Sequence, residues 1–220
     1  MNEIVTKIEL SPDVKKFIVK APDIAQKILP GQFIVLRFRE EGERIPLSIA
    51  DYDRQEGTLT LVFKEIGKTT IELGRLNEGD SIPDLIGPLG TPSEVELFGS
   101  VVAVGGGIGT APVIPYIKAL KEKGNKITTI IGAQTESQLI LVEEAKSYSD
   151  KVIITTDDGS AGKKGLVTEA LQEIIDSGEN IDFVFTAGPG IMMKFVSKTT
   201  EPHNIKTVVS LNSIMVDGTG

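Results

Sequence analysis

The run Val101-Val102-Ala103-Val104-Gly105-Gly106-Gly107-Ile108-Gly109-Thr110-Ala111-Pro112 decides the fold of the second half of the chain. Four apolar residues lead directly into a glycine-rich turn, and a helix-forming segment follows. Glycine takes positive φ angles without strain and lets the backbone approach a ligand closely. The following helix would offer free N–H groups to an anion. The run therefore predicts a strand, a phosphate-binding turn and a helix. The candidate contacts for a dinucleotide are Gly105, Gly106, Gly107, Gly109 and Thr110.

Strand-like and helix-like segments alternate after this run, and this alternation is typical of a parallel α/β sheet. The predicted strands cover residues 101–104, 127–131, 152–155, 183–186 and 207–211. The predicted helices cover residues 111–123, 138–147 and 166–177, with another from Ile191.

The N-terminal half has a different rhythm, with short apolar runs separated by turn residues. Residues 16–19, 33–38 and 58–63 are examples. Many short strands at this spacing predict an antiparallel β-barrel or sandwich, interrupted by one short helix over residues 70–76. We therefore predict a β-barrel domain over residues 1–95 and a parallel α/β domain over residues 96–220.

Composition fits a globular protein and limits its partners. The chain has 220 residues, 40% of them hydrophobic and 25% charged, and its formal net charge is −8. The acidic balance and the lack of a basic run argue against nucleic acid as a partner. The first residues lack the pattern of a secretory signal, and glycines and prolines interrupt the longest apolar stretch, which argues against a membrane span. We therefore expect a cytoplasmic protein.

Two later loops lie where open α/β sheets bind their ligands, at the carboxyl ends of strands. Thr156-Asp157-Asp158-Gly159-Ser160 follows the third predicted strand, with Asp157, Asp158 and Gly159 as the candidate contacts. Ala187-Gly188-Pro189-Gly190 follows the fourth, with Ala187, Gly188 and Pro189 as the candidate contacts. The residues after the second strand, 132–136, include no arginine to hold a 2′-phosphate, and the two aspartates add negative charge, although Lys163 and Lys164 lie nearby. This pattern favours NAD(H) over NADP(H).

Two segments of the N-terminal half also carry candidate ligand contacts. Arg44-Ile45-Pro46-Leu47-Ser48 couples a cation to a hydroxyl at a strand end. Gly67-Lys68-Thr69-Thr70 joins a strand to a helix start and offers amides, hydroxyls and a lysine to a phosphate group. His203, the single histidine, lies in a predicted surface loop and is interpreted as structural.

These motifs, in this order, resemble the ferredoxin–NADP reductase superfamily. Within it, the whole chain is similar to the small subunits of NADH-dependent ferredoxin:NADP oxidoreductase, also known as sulfide dehydrogenase β subunits. These subunits are related to the electron-transfer subunits of dihydroorotate dehydrogenase. The resemblance also includes the segments 30–33, 87–90, 158–160 and 210–220.

The resemblance implies FAD in the barrel and a nicotinamide nucleotide in the α/β domain. Arg44 would face the flavin or its phosphates, with Pro46 beside it; Leu47 would lie against the ring, and the Ser48 hydroxyl would reach the flavin N5 edge as the catalytic contact. Gly67-Lys68-Thr69-Thr70 would hold the pyrophosphate. The usual arginine of the family stands three residues before the serine, whereas Arg44 stands four before Ser48. Such an offset reverses the face of a strand on which a side chain lies.

Two further departures concern cysteine. Ala187 stands where many relatives carry a cysteine, and we expect altered packing there without loss of hydride transfer. In the resembled family Asp217 leads into a cysteine cluster and is itself a ligand of a [2Fe–2S] centre. The chain contains no cysteine, so this polypeptide should not hold the cluster itself. We expect residue 220 to fall at the start of a truncated cluster-binding segment.

The resulting hypothesis is an electron-transfer oxidoreductase subunit. It would move hydride between NAD(P)H and bound FAD and pass electrons to a larger flavoprotein in a heterodimer, or to ferredoxin. Two alternatives stay open. One is a dihydroorotate dehydrogenase electron-transfer subunit, against which Asp217 argues, because that family tends to have cysteine there. The other is a cofactor-binding docking module without turnover of its own.

Overall fold

The computed structural model describes residues 2–211. These residues form two compact units, of which the first ends at Ser93 and the second comprises Glu94–Leu211. Each unit has its own sheet and its own buried apolar core. In the part of the chain that the structure describes, no helix is long and apolar enough to span a membrane.

The first unit is built from seven antiparallel strands and two short helices. The strands are β1 (Asn2–Ser11), β2 (Val14–Lys20), β3 (Phe33–Arg37), β4 (Ile45–Asp53), β5 (Thr58–Lys64), β6 (Ser81–Ile82) and β7 (Asp84–Leu89). The helices are α1 (Pro22–Ala25) and α2 (Lys68–Leu73).

These strands form a nearly closed barrel. Their order in the sheet is β6-β1-β2-β5-β4-β3-β7, so the two edge strands, β6 and β7, are separated only by Pro83 along the chain. A single residue brings the two edges of the sheet together. Alternate side chains of the strands fill the interior, including Phe17, Ile34 and Leu61, which are fully buried. The barrel prediction is confirmed, and the sandwich is not formed.

The second unit alternates strands with helices. Its strands are β8 (Ser100–Gly106), β9 (Lys126–Ala133), β10 (Lys151–Thr156), β11 (Lys163–Lys164), β12 (Phe183–Ala187) and β13 (Lys206–Ser210). Its helices are α3 (Thr110–Glu122), α4 (Val142–Tyr148), α5 (Val167–Asp176) and α6 (Gly190–Thr200).

The sheet of the second unit is parallel throughout, as predicted, in the order β11-β10-β9-β8-β12-β13. The chain moves outward from β8 through β9 to β10 and then returns to the other side of β8 with β12. The direction of winding therefore reverses between β8 and β12, and ligands of open α/β sheets bind outside the carboxyl ends of the strands at such a point.

The helix predicted over residues 138–147 is wrong at its start, because α4 begins only at Val142. Leu139 is extended and Leu141 adopts a left-handed conformation at φ 56°. Both Ile140 and Leu141 are buried. The segment before α4 thus leaves helical geometry to place two apolar side chains in the core, and this burial outweighs local helix propensity.

Candidate cofactor sites

The glycine run forms the crossing from β8 to α3 at the switch point of the parallel sheet. Gly107 to Gly109 make one 3₁₀ turn, and α3 starts at Thr110. Gly107 has a φ of 53°, and a methyl group at its Cα would meet no atom within 4 Å. The turn is therefore open outward, and the first N–H groups of α3 have no partner within that helix.

The loop after β12 packs directly against this turn. A methyl group at Gly109 would lie 2.4 Å from Gly188 Cα and 2.5 Å from Ala187 O. Real side chains do not tolerate such distances, so only glycine fits at position 109. The structure thus brings Ala187-Gly188-Pro189 and the glycine run together, as the prediction of a shared ligand edge requires.

The hydroxyl of Thr110 marks the start of α3. The side chain is fully buried, and its Oγ1 has no hydrogen-bond partner among residues 2–211. An unpaired buried hydroxyl is unfavourable unless a ligand completes it. An open glycine turn, free amides at a helix start and an unpaired hydroxyl suit the pyrophosphate of a dinucleotide. The residues present therefore fit a nicotinamide nucleotide.

The loop after β10 is held by a hydrogen-bonded serine. Asp158 Oδ1 accepts hydrogen bonds from the Ser160 hydroxyl at 2.6 Å and from the Ser160 N–H at 2.9 Å. The Ser160 hydroxyl in turn accepts the N–H of Glu136 at 2.7 Å. Hydrogen bonds from Ser160 lower the pKa of Asp158. This network joins the loops after β9 and β10 and keeps a carboxylate ionised at the ligand edge; the Asp157 side chain is exposed there.

Gly159, which follows Asp157 and Asp158, adopts a backbone conformation that favours glycine. Its φ is 81°, and a methyl group there would lie 3.1 Å from the Lys164 side chain. Glycine is the residue that adopts this geometry without strain.

In the barrel, β4 carries the predicted flavin-binding segment. Leu47 packs against the barrel core, and Ser48 pairs with Phe33 of β3. Side chains alternate along a strand, so Pro46 and Ser48 lie on the face opposite to Leu47. Any contact of Leu47 with a ligand on that outer face would come from its backbone. Within the described chain the Ser48 hydroxyl makes no hydrogen bond.

Arg44 lies just before β4 and is exposed. Because β4 begins at Ile45, the alternation of side chains between the two faces of the strand does not extend to Arg44. The spacing of four residues between Arg44 and Ser48 therefore does not decide on which face the Arg44 side chain lies. Arg44 forms no ion pair with any residue from 2 to 211, so its guanidinium is available to an anion.

The Gly67-Lys68-Thr69-Thr70 turn opens α2 and is joined to the segment before β4. Thr70 Oγ1 accepts the Gly67 N–H at 3.2 Å and caps the helix. The Thr69 hydroxyl donates to the carboxylate of Glu43, the neighbour of Arg44. Arg39 and Glu72 form a second connection, an ion pair of 2.7 Å. The two predicted flavin-binding segments are thus adjacent in the structure.

The donor set of this region suits a diphosphate. Arg44 and Lys68 are cations without an ion-pair partner in the described chain, Ser48 supplies a hydroxyl, and a methyl group at Gly67 would meet nothing within 4 Å. Two cations beside an open glycine match two negative phosphate charges. The residues present fit the flavin dinucleotide that the resemblance implies.

Sequence reasoning missed Met192 and gave no contact role to Glu43 and Ser160. Glu43 contacts Thr69, Ser160 joins two ligand loops, and Met192 of α6 packs on both the glycine run and Gly188. Each acts through a contact between segments far apart in sequence, and no local pattern indicates such contacts.

Two remaining sequence predictions concern metal and histidine. Asp217, the potential cluster ligand, lies outside the described residues. Across residues 2–211 no group of three or more His, Cys, Asp or Glu side chains could hold a metal ion. His203 ends a short 3₁₀ turn and is exposed.

The fold and these two sites define a class of protein, the FAD- and NAD-binding oxidoreductases. Residues 2–93 match the oxidoreductase FAD-binding domain family, and residues 103–198 match the oxidoreductase NAD-binding domain family.

The similar proteins narrow this class to electron-transfer subunits. The chain is 49% identical over its whole length to the dihydroorotate dehydrogenase B (NAD(+)) electron transfer subunit homolog of Thermotoga maritima, and it covers 77% of that protein. It is 36% identical over 91% of its length to the corresponding electron transfer subunit of Desulforamulus reducens, and it also covers 77% of that protein. The chain therefore belongs to the family of dihydroorotate dehydrogenase B electron-transfer subunits and their homologues.

Solved structures agree with this assignment. A chain from the NADH-dependent reduced ferredoxin–NADP oxidoreductase, studied for flavin-based electron bifurcation, superposes with a TM-score of 0.93 at 48% identity. The match covers 100% of this chain and 79% of that chain. The ferredoxin reductase of carbazole 1,9a-dioxygenase shares the fold, with a TM-score of 0.80 at 16% identity over 95% of this chain and 68% of that one.

Proposed function

We propose that this subunit takes hydride from NADH onto a barrel-bound FAD and passes the electrons to a larger flavoprotein partner. The observation that carries the proposal is the packing of the glycine run against Ala187-Gly188 at the switch point, beside the unpaired Thr110 hydroxyl. We assign the flavin to residues 1–95 and the nicotinamide nucleotide to residues 96–220.

The two cofactors, when bound, supply the hydride donor and acceptor, and the protein supplies position and electrostatics. In the second unit, Gly107, Gly109 and Thr110 would hold the nucleotide pyrophosphate at the start of α3. Gly188 and Pro189 would line the same crevice. Orientation of this kind is the main contribution a protein makes to a reaction between two bound cofactors.

In the barrel, Arg44 and Lys68 would hold the flavin diphosphate, and Thr69 and Thr70 would present the free backbone amides of the first turn of α2 beside the open Gly67. Ser48 has a hydroxyl free to donate a hydrogen bond to the N5 edge of the flavin ring. No side chain in this arrangement needs to act as a general acid or base.

NADH is proposed over NADPH because of the charge at the ends of β9 and β10. Asp157, ionised Asp158 and exposed Glu136 would repel a 2′-phosphate, while a carboxylate can accept a hydrogen bond from a free 2′-hydroxyl. Lys164, exposed beside Gly159, carries an opposing positive charge that offsets only part of this repulsion. Stopped-flow reduction of the bound flavin should be faster with NADH, and faster reduction by NADPH would reject this preference.

Flavin binding is tested by Gly67→Ala. The added methyl group meets nothing in the protein, and Gly67 is the N-cap of a short helix, so the apoprotein should lose at most about 1 kcal/mol of stability. If the diphosphate approaches Gly67 closely, FAD affinity should fall at least tenfold. Fluorescence titration with FAD and with FMN measures this, and unchanged FAD affinity would place the flavin elsewhere.

Two kinds of assembly are candidates for the partner of this subunit. The chain is about equally similar to the structure of the NADH-dependent ferredoxin–NADP oxidoreductase and to the Thermotoga maritima dihydroorotate dehydrogenase B subunit homolog. We favour the first assembly as partner type and keep the dihydroorotate dehydrogenase as the second. Copurification of the natural complex, followed by NADH-dependent assays with NADP⁺ and ferredoxin or with orotate, separates them. Binding of both cofactors without reduction of FAD by NADH would indicate a docking module.

A further inference from the structure

Met192 lies where the two loops of the nucleotide crevice meet. A methyl group at Gly106 would lie 2.4 Å from Met192 Sδ, and one at Gly188 would lie 2.7 Å from Met192 Cε. The end of the Met192 side chain therefore occupies the space that a side chain at Gly106 or at Gly188 would need. The loops also touch each other, since the methyl position at Gly188 is 3.1 Å from Gly106 O.

The same side chain is anchored in the core and partly open to solvent. Met192 packs against the apolar cluster that contains Val104 of β8 and Val196 of α6, but it is only partly buried. Its neighbour Met193 is 5% exposed and makes none of these glycine contacts. Met192 thus lies between the two ligand loops, and its side chain is partly open to solvent.

We propose that Met192 is an oxidation-sensitive positioning residue, and that a peroxide acting on its sulfur weakens nucleotide binding. This inference rests on the proposed nucleotide site. The sulfur gives up two electrons, the O–O bond of hydrogen peroxide breaks, an S–O bond forms, and the remaining oxygen leaves as water with both protons. The product is a sulfoxide.

The geometry explains why the sulfoxide would matter. The sulfur lies against Gly106, so an oxygen bonded to it enlarges the group that sits between the glycine run and Gly188. The sulfoxide is also polar, whereas the surrounding cluster is apolar. Both effects separate the loops, and the crevice loses the spacing that holds the pyrophosphate.

The proposal predicts a loss of nucleotide affinity that follows oxidation at one position. The full-length chain is treated with dilute hydrogen peroxide, and peptide mass spectrometry locates the added oxygen. NADH affinity, measured by titration before and after treatment, should fall at least fivefold in proportion to Met192 oxidation. Treatment with both methionine sulfoxide reductases should restore it.

Two matched variants make the test specific, each compared with itself before treatment. Met192→Leu should lose its sensitivity to peroxide, whereas Met193→Leu should keep it. Thermal unfolding gives a readout independent of the nucleotide, because the sulfoxide should lower the melting temperature of the wild type and of Met193→Leu only. Equal loss of NADH affinity in Met192→Leu would overturn the proposal, as would full Met192 oxidation without loss. Untreated protein that fails to bind NADH would instead reject the proposed function, and the proposal with it.

Discussion

Two buried threonines of the parallel sheet, one on β9 and one on β12, differ in whether their hydroxyls have a hydrogen-bond partner. Thr129 and Thr186 are both fully buried. The Thr129 hydroxyl pairs with Ser149 Oγ at 2.7 Å, whereas Thr186 Oγ1 has no partner among residues 2–211. A buried hydroxyl without a partner destabilises the fold, and a paired one stabilises it.

Replacement by valine should therefore act in opposite directions at these positions. Thr186→Val should raise the free energy of unfolding by about 1 kcal/mol, and Thr129→Val should lower it by about 1 kcal/mol. Chemical denaturation of both variants measures the difference. A loss of stability in Thr186→Val would mean that its hydroxyl finds a partner in solution.

The variant Thr110→Val tests whether the Thr110 hydroxyl contacts the nucleotide. The Thr110 hydroxyl is buried and unpaired like that of Thr186, so its removal should not destabilise the protein. If the nucleotide uses this hydroxyl, NADH affinity should fall about fivefold to tenfold, as expected for one lost hydrogen bond of about 1 kcal/mol. Unchanged NADH affinity together with unchanged stability would remove Thr110 from the site.

At the scale of elements, the glycine run and the loop after β12 depend on close backbone contact. Gly109→Ala places a methyl group 2.4 Å from Gly188 Cα, which must separate the two loops. We expect at least a hundredfold loss of NADH affinity with FAD binding retained. Gly190→Ala is the matched control, because a methyl group there meets nothing within 4 Å. The prediction fails if both variants bind NADH equally well.

The ion pair between α3 and the loop before β10 makes the stability of the second unit depend on pH. Asp150 accepts hydrogen bonds from Lys121 Nζ at 2.6 Å and from the Ile127 N–H at 2.8 Å. The hydrogen bond from Lys121 holds the pKa of Asp150 below its usual value. Because the pKa of Asp150 is lower in the folded state, its carboxylate stabilises the fold at pH values above the unfolded pKa of 3.8. This stabilisation is lost as the pH falls through the folded pKa.

Asp150→Asn should therefore destabilise the protein at pH 7 and have less effect in acid. The expected difference at pH 7 is at most about 1 kcal/mol, because both partners are partly exposed. It should shrink steadily below pH 4. Melting temperatures of the wild type and the variant between pH 3 and pH 7 test this. A difference that is constant over the range would exclude an electrostatic origin.

Elements with a strong local signal could be predicted from the sequence, and others could not. The glycine run identified the β8–α3 crossing because glycine there is fixed by local backbone geometry. The start of α4 was misplaced because burial of Ile140 and Leu141 is a tertiary effect. Likewise, Glu43, Ser160 and Met192 belong to the candidate sites through long-range contacts. Local motifs indicate which loops bind ligand, but the side chains that hold those loops together become visible only in the fold.

At the scale of the whole molecule, hydride transfer to the flavin should not require the partner. The residues assigned to FAD and NADH all lie between Arg44 and Pro189. The purified chain loaded with FAD should therefore reduce ferricyanide with NADH when no partner is present, and the loss of ferricyanide absorbance measures the rate. No reduction of ferricyanide would show that these residues do not suffice for hydride transfer.

The single residue between β6 and β7 has a consequence for synthesis on the ribosome. Asn2 of β1 pairs with Ile82 of β6, and β3 pairs with β7, which ends at Leu89. Two of the earliest strands therefore emerge with an open edge, and their partners are translated only much later. Unpaired strand edges are where nascent chains associate wrongly. The barrel can be completed only when Leu89 has left the exit tunnel. A translational pause before that moment prolongs the exposed state, whereas a pause after it allows the barrel to close before the rest of the chain emerges.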